Sequence, residues 1–202
     1  MPEAEVISET GRTRYTDEEK AEIWIQGQTP LNSIVELAEY DPDWPNQYET
    51  YRRAIVEHLG DKVVLLEHVG STSVPGLAAK PRIDILLVVA DSSDEAAYVP
   101  QLEAAGFELH VREANWHEHR CLKGVDPDAN LHVFSPGCVE IERMIGFRDW
   151  LRTHDDDRQL YETTKRELAV REWDFVQDYA DAKSAVVEEI RQRAGLPEGI
   201  GG

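Results

Sequence analysis

The spacing of hydrophobic and polar residues changes near residue 138. Before that point, short apolar runs and alternating segments predict β-strands at 34–40, 63–69, 83–89, 107–111, 117–123 and 130–134. Helical spacing predicts helices at 44–59 and 94–105 between these strands, and at 138–153, 156–170 and 173–193 beyond them. These elements predict an α/β (α+β) protein that ends in a C-terminal helical segment.

The two ends of the chain are more polar than its middle. Residues 1–33 carry no long apolar period, although Thr16 to Glu19 has the form of a capping box that opens a short helix through Trp24 and Ile25. We interpret 1–33 as a partly ordered N-terminal extension, 34–194 as a single domain and 195–202 as a frayed tail.

Charge and composition narrow the functional classes. The 202 residues include 40 acidic and 21 basic side chains, a formal net charge of −19, so the surface as a whole repels duplex DNA and anionic membranes. No apolar run is long enough to span a bilayer, and the first residues lack the features of a signal peptide. With only two cysteines, the expectation is a cytoplasmic protein with reduced thiols and neither a duplex nucleic-acid nor a membrane partner. Its oligomeric state is left open.

The most informative stretch joins two buried strands through a Gly-Ser turn. Gly70 lets the backbone approach a ligand closely, and a run of hydroxyl residues follows it. Successive N–H groups in such a turn bind anions and phosphates, although an ordinary polar turn has the same composition. The candidate phosphate-binding residues of this turn are Gly70, Ser71, Thr72 and Ser73.

Asp84 is the one charged residue inside the apolar run 83–89. A buried carboxylate costs several kcal/mol unless it is paired, hydrogen-bonded or bound to a metal. Strand alternation places Arg82 on the same face, so a plain contact between Arg82 and Asp84 at the strand edge is the structural alternative to a functional site.

The order strand, Gly-Ser turn, connection and strand-borne Asp, with Asp84 thirteen residues after Ser71, resembles the nucleotidyltransferase superfamily. Within it, the segment Glu67 to Asp84 is similar to the GrpB family. Further matches to the GrpB pattern are Tyr40 to Pro45, Leu131 to Phe134, Phe147 to Arg152, and the residues Tyr161, Lys165, Tyr179 and Lys183. The resemblance implies a nucleotidyltransferase-like mixed β-sheet flanked by helices, nucleotide phosphates at the Gly-Ser turn and Mg²⁺ near Asp84.

One position departs from the superfamily pattern. Active nucleotidyltransferases resemble one another in carrying a second carboxylate two residues after the first, because two Mg²⁺ ions need several acidic ligands on one face. That position here is Leu86. A two-metal site would therefore require Glu67, Glu118 or Asp149 to fold next to Asp84.

Basic residues within the matching motifs are candidate phosphate ligands, since guanidinium groups bind phosphate with two parallel hydrogen bonds. Pairing with surface acids is the alternative for each of them. The candidates are Lys80, Arg82, Arg120, Lys123, Arg148 and Arg152.

Histidines give two further hypotheses. In the family pattern His132 belongs to the site, where it would bind phosphate, orient a substrate or act as a general base; a structural histidine is the alternative. His117, His119 and Cys121 have the spacing of zinc ligands, but no convincing fourth ligand accompanies them.

Two functions remain open, beside the alternative of a scaffold whose cleft is vestigial. The first is transfer of a nucleotidyl group from a nucleoside triphosphate, with Asp84 holding Mg²⁺ and His132 in the site. The second is a non-catalytic module that binds a nucleotide, coenzyme A or another phosphorylated small molecule. Leu86 favours the second function, as does the appearance of this family as an appended domain on dephospho-coenzyme A kinases in some bacteria.

Overall fold

The computed structural model describes residues 22–25 and 30–198. The strands are β1 Pro30–Ser33, β2 Leu65–Val69, β3 Ile83–Val88, β4 Phe107–Glu113, β5 His119–Gly124, β6 Ala129–Phe134 and β7 Trp173–Phe175. The α-helices are α1 Trp44–Leu59, α2 Val99–Ala104, α3 Val139–Thr153, α4 Asp155–Ala169, α5 Val176–Ala182 and α6 Ser184–Arg193. Short 3-10 helices cover Gly60–Lys62, Ser71–Ser73 and Glu95–Ala97.

The main sheet has five strands in the order β2-β3-β6-β5-β4. Strands β3 and β6 are parallel, and the other neighbouring pairs are antiparallel. The predicted α/β class, with a mixed sheet flanked by helices and a C-terminal helical segment, is therefore confirmed.

Helix α1 covers one face of this sheet. Pro45 lies in its first turn, where the missing N–H leaves no hydrogen bond unmade. Its buried residues follow helical spacing and form a single stripe, which packs against the side chains of β3 that point to the same face. The stripe consists of Trp44, Tyr51, Ile55 and Leu59.

Alternation along β3 separates the main core from the candidate site. Ile83, Ile85 and Leu87 lie under α1. Asp84 and Leu86 point to the other face, where Leu86 packs with Val69, Phe134 and hydrophobic residues of α3. We call this second side of the sheet the site face.

Three predicted elements differ in the structure. The segment 34–40 is not a strand, because its backbone hydrogen bonds go to scattered partners: Val35 N–H donates to the carbonyl of Ala169, and Ala38 forms an isolated bridge with Ala79. The chain at 173–175 pairs with β1 instead of starting a helix. The predicted helix 94–105 is divided into a 3-10 turn and α2, which has Pro100 in its first turn.

Parts of the predicted extension and tail contact the domain. Ile23 is buried against Val111 and Cys121 on the site face. At the other end, Arg143 donates to the carbonyl of Pro197 at 2.6 Å, so residues 195–198 lie against α3. Most of the helix predicted from Thr16 falls outside the described residues. Over the ranges 22–25 and 30–198, every helix is too short or too polar to cross a membrane.

Candidate functional site

The Gly-Ser turn and the strand-borne acid lie side by side at the end of β2. Val69 pairs with Asp84 in the antiparallel register of β2 and β3, and the chain leaves β2 through Gly70 at φ +69°. A Cβ atom on Gly70 would lie 2.9 Å from the Cβ of Asp84, so the backbone passes directly over the acid. The structure thus brings together the two features that the sequence singled out.

Asp84 is hydrogen-bonded but not ion-paired through a close contact. The amide nitrogen Nδ2 of Asn130 donates to Oδ1 of Asp84 at 3.0 Å, and Nε2 of His132 lies 4.0 Å from the same oxygen. Burial raises the pKa of Asp84, and the Asn130 hydrogen bond opposes that rise. The side chain keeps 31 % exposure, so a ligand can reach it.

Three of the six lysines of the chain converge on this region. Lys165 of α4 donates from Nζ to Oγ of Ser71 at 3.1 Å and to the carbonyl of Ala78. Lys183 and Lys80 lie over the ring of Tyr179, with Nζ 4.4 Å and 5.6 Å from the ring centroid. We call these residues the lysine cluster, and together with Gly70–Ser73, Asp84 and His132 they define the candidate site.

Burial makes the charged form of each of these lysines less favourable than it is in water. Desolvation lowers the pKa of Lys165 to about 7, and the neighbouring Lys183 contributes to the lowering. Desolvation also lowers the pKa of Lys80 to about 8, where Arg82 and Lys183 add repulsion, and that of Lys183 to about 8, where Asp84 acts in the opposite direction. An anion in this region would restore the favourable charged state.

Two predicted phosphate ligands instead hold the turn and α3 in place. Arg148 is buried and donates to Glu67 at 2.7 Å and to the carbonyl of His68 at 2.8 Å. Arg152 donates twice to the carbonyl of Ser73, at 2.8 and 3.1 Å. Both guanidinium groups are occupied by protein acceptors and position the Gly-Ser turn.

The replacement Arg148→Ala is expected to lower the free energy of unfolding by about 2 kcal/mol. It removes hydrogen bonds from a charged donor and leaves Glu67 and the carbonyl of His68 without them, and the partial exposure of Glu67 moderates the loss. Urea denaturation measures the change. Arg53→Ala is the matched control, since Arg53 is exposed and pairs with Glu49 at 3.5 Å. This control is expected to lower the free energy of unfolding by no more than about 0.5 kcal/mol. Equal losses in the two variants would contradict the structural role of Arg148.

The remaining predicted bases divide between the two faces of the sheet. Arg82 pairs with Asp128 at 2.7 Å, and Lys123, on the site face opposite Asn130, is close enough to Arg82 for repulsion to lower its pKa after desolvation. Arg120 lies on the opposite face, buried beside Glu95, to which Nε donates at 2.5 Å. The prediction that Arg120 belongs to the phosphate site is therefore not supported by its position.

The carboxylates that could complete a two-metal site are not beside Asp84. Glu67 and Asp149 pair with Arg148, and Glu118 pairs with Arg120. Leu86, at the position of the second carboxylate, is fully buried in the hydrophobic packing under α3. Within the described part of the chain, no group of three or more His, Cys, Asp or Glu side chains is arranged to hold a metal ion. The described residues do not fit a two-metal Mg²⁺ site.

The mixed sheet, with a Gly-Ser turn passing over a strand-borne Asp, defines an α/β protein of the nucleotidyltransferase-like class. A family model described as GrpB protein matches residues 34–193, and the chain belongs to this family. It is 55 % identical to UPF0157 protein BH1888 of Halalkalibacterium halodurans over 182 residues, which is 90 % of this chain and 93 % of that protein. The crystal structure of the conserved protein GrpB from Enterococcus faecalis superimposes with a TM-score of 0.70 at 31 % identity, covering 79 % of this chain and 96 % of that one.

A dephospho-CoA kinase of Mycolicibacterium paratuberculosis is a more distant relative. It is 28 % identical over 187 residues, which cover 79 % of this chain but only 46 % of the kinase.

Proposed function

We propose that the candidate site binds the phosphate groups of a nucleotide or another phosphorylated small molecule, and that it does so without a divalent metal ion. The observation that carries the proposal is the lysine cluster: Lys165 donates to Ser71 of the Gly-Ser turn, and Lys80 and Lys183 interact electrostatically with Asp84. In a chain with a net charge of −19, such a local excess of basic groups favours an anionic ligand.

In this proposal the lysines supply the positive charge that metal ions supply in a two-metal nucleotidyltransferase. Ammonium groups neutralise phosphate charge directly, whereas Asp84 alone supplies too few ligands for a tightly held Mg²⁺. Desolvated ammonium groups also interact more strongly with phosphate than exposed ones, since little water competes with the ligand. The ligand is therefore expected to bind in the presence of a chelator.

A phosphorylated adenine nucleotide of the coenzyme A type is the first ligand to test. The relative named dephospho-CoA kinase carries a segment similar to this chain in slightly less than half of its length. Isothermal titration calorimetry with ATP, dephospho-coenzyme A and inorganic triphosphate, each with EDTA and with Mg²⁺, separates the base requirement from the phosphate requirement.

Loss of one lysine of the cluster is expected to weaken this binding about tenfold. Each charge-assisted hydrogen bond contributes about 1.5–3 kcal/mol, so Lys183→Ala and Lys80→Ala should each raise Kd by roughly a factor of ten or more. Lys62→Ala is the control, because Lys62 is exposed and donates to the carbonyl of Ala97, away from the candidate site. Binding that disappears in EDTA, or that survives both cluster variants, would contradict the proposal.

Nucleotidyl transfer is the second candidate function, and the position of His132 favours it. Its Nε2 atom lies 4.0 Å from Asp84, close enough for one ligand oxygen to contact both side chains. Such an enzyme would release pyrophosphate from a nucleoside triphosphate when a hydroxyl acceptor is present. Release that persists unchanged in both His132→Gln and Asp84→Asn would exclude the site as its origin.

A further inference from the structure

A row of polar side chains crosses the site face from β4 to β3. Glu113 ends β4 and pairs with His119 at the start of β5. His132 on β6 lies opposite Cys121, two residues after His119, so both histidines point to the same face. Next to His132, Asp84 on β3 completes the row.

Short contacts join neighbouring members of the row. Oε2 of Glu113 lies 2.6 Å from Nδ1 of His119, and Nε2 of His119 lies 3.1 Å from Nδ1 of His132. Nε2 of His132 is then 4.0 Å from Oδ1 of Asp84. The first two contacts are hydrogen bonds, and the third leaves room for an oxygen atom to bridge the two groups.

The two imidazole rings meet edge to edge. Their planes differ by 18° and their centroids are 5.3 Å apart, which is close to the N···N distance plus the two ring radii. This is the arrangement of an in-plane hydrogen bond. Phe134 lies parallel to His119 at 4.7 Å, and Trp116 contacts it edge-on at 5.3 Å, so hydrophobic packing fixes the ring of His119.

With His119 neutral, hydrogen-bond chemistry assigns the protons along the row. A carboxylate only accepts, so the bond to Glu113 requires the proton of neutral His119 to be on Nδ1. The Nε2 atom of His119 is then an acceptor, and His132 must donate to it from its own Nδ1. A neutral His132 consequently has an unprotonated Nε2, and this lone pair faces Asp84.

The hairpin that supplies Glu113 and His119 is strained. His117 and Glu118 have φ values of 54° and 50°, in the left-handed region that side-chain-bearing residues rarely adopt. Such conformations persist where the surrounding structure enforces them, and they are concentrated at functional sites. Here the two residues turn the chain into β5 and place His119 opposite Glu113.

We propose that His132 is the proton acceptor for a hydroxyl group of a molecule bound in the candidate site, and that His119 and Glu113 are positioning residues that keep Nε2 of His132 unprotonated and directed at Asp84. The need for a bound ligand rests on the proposed function. The proton assignment does not, because it rests on a neutral His119 and on the contacts of this histidine with Glu113 and His132.

The step that this arrangement serves is attack of a hydroxyl oxygen on the phosphorus of a bound phosphoric anhydride. The hydroxyl O–H bond breaks, and its proton goes to Nε2 of His132. The oxygen forms a new bond to phosphorus, while the bond from phosphorus to the leaving phosphate breaks and its electron pair stays on the leaving oxygen. The positive charge that develops on His132 is stabilised through His119 by the carboxylate of Glu113.

Long-range ¹H–¹⁵N spectra of the histidine rings test the positioning in the ligand-free full chain. The expected result is the Nδ1–H tautomer for both His119 and His132, which is the less common form of a free imidazole. In His119→Phe, His132 loses its acceptor and is expected to shift to the Nε2–H tautomer. The conservative variant His119→Gln, whose side-chain carbonyl accepts a hydrogen bond, should restore Nδ1–H. An Nε2–H tautomer at His132 in the wild-type chain overturns the proposal.

Acylation by diethyl pyrocarbonate, followed by mass spectrometry, tests whether the lone pair can be reached from solvent. His132 keeps 23 % exposure and is expected to react at Nε2, with a rate that falls severalfold in His119→Phe and recovers in His119→Gln. The exposed His58 and His154 serve as internal references. A wild-type His132 that does not react while the references do also overturns the proposal. Failure of inorganic triphosphate to protect a reactive His132 contradicts the proposed function instead.

Discussion

Gly70→Ala is expected to lower the free energy of unfolding by about 2–6 kcal/mol and to abolish phosphate binding. Gly70 has φ +69° and ψ −173°, a backbone region that is essentially restricted to glycine and costs an alanine about 1–3 kcal/mol. The new methyl group would also lie 2.9 Å from Cβ and 3.0 Å from Cγ of Asp84, an overlap of the kind that costs about 1–3 kcal/mol. Urea denaturation measures the loss of stability, and calorimetry with inorganic triphosphate measures the loss of binding.

Gly76→Ala is the matched control. Gly76 has φ +79°, but a Cβ atom there would meet nothing within 4 Å, so only the conformational cost of about 1–2 kcal/mol is expected. The additional loss in Gly70→Ala comes from the contact with Asp84 together with the less favourable backbone conformation of Gly70. If the two variants lose the same stability and both still bind triphosphate, the close approach of the turn to Asp84 has no energetic role.

The sensitivity of this position follows from how firmly the turn is held. Arg152 donates two hydrogen bonds to the Ser73 carbonyl, and Nζ of Lys165 donates to the hydroxyl of Ser71. The hydroxyl of Ser73 donates back to the carbonyl of Gly70 at 2.6 Å. Because the turn has little freedom to shift, the overlap created by a methyl group must be relieved by moving Asp84.

The central elements could be predicted because their sequence pattern agrees with their tertiary environment. Strands β2 and β3 are apolar and bounded by turn residues, and α1 shows one buried stripe. The alternation of apolar and polar residues in 34–40 predicts a strand, and this prediction is wrong. The apolar residues of this segment contact the C-terminal half of the chain and do not pair in a sheet. Val35 packs with Leu168 and Tyr179, which no local period reveals.

The core of the candidate site was also predictable, since Gly70 and Asp84 lie at matching ends of neighbouring strands. The sequence also indicates that Arg120 and Lys123 cannot both lie on the site face. The two residues are three positions apart on one strand, so alternation places them on opposite faces. Only Lys123 shares the face of Asp84.

The lysine cluster and the row of polar side chains from Glu113 to Asp84 could not be predicted without the tertiary structure. Lys165 and Lys183 belong to the family pattern, but their spacing from Tyr161 and Tyr179 suits a surface ion pair as well as a buried site. Glu113 and His119 lie on two strands, and only the register of β4 with β5 brings them together. The closeness of His117, His119 and Cys121 in sequence suggested zinc instead, although His119 bonds to Glu113 and His132.

The pH dependence of folding is expected to change most in Lys165→Met. Lys165 is 2 % exposed, and its pKa in the folded protein is about 7, against an ordinary value of 10.5. Between these pH values the unfolded chain binds more protons at this residue than the folded protein does. The free energy of unfolding therefore rises with pH across this window, by at most about 1.4 kcal/mol per pH unit from this one group.

Lys165 destabilises the folded protein fully below pH 7, its pKa in the folded state. This destabilisation is lost as the pH approaches 10.5, the ordinary pKa of lysine in the unfolded chain. Methionine removes the titration but also the hydrogen bonds to Ser71 and Ala78, and that second effect is a constant offset. Urea denaturation at a series of pH values separates them: the stability of the wild type relative to the variant should increase with pH, while Lys62→Met should follow the wild type. Parallel curves for the wild type and Lys165→Met would mean that Lys165 is charged in the folded protein, and the lysine cluster would then carry its positive charge before any anion binds.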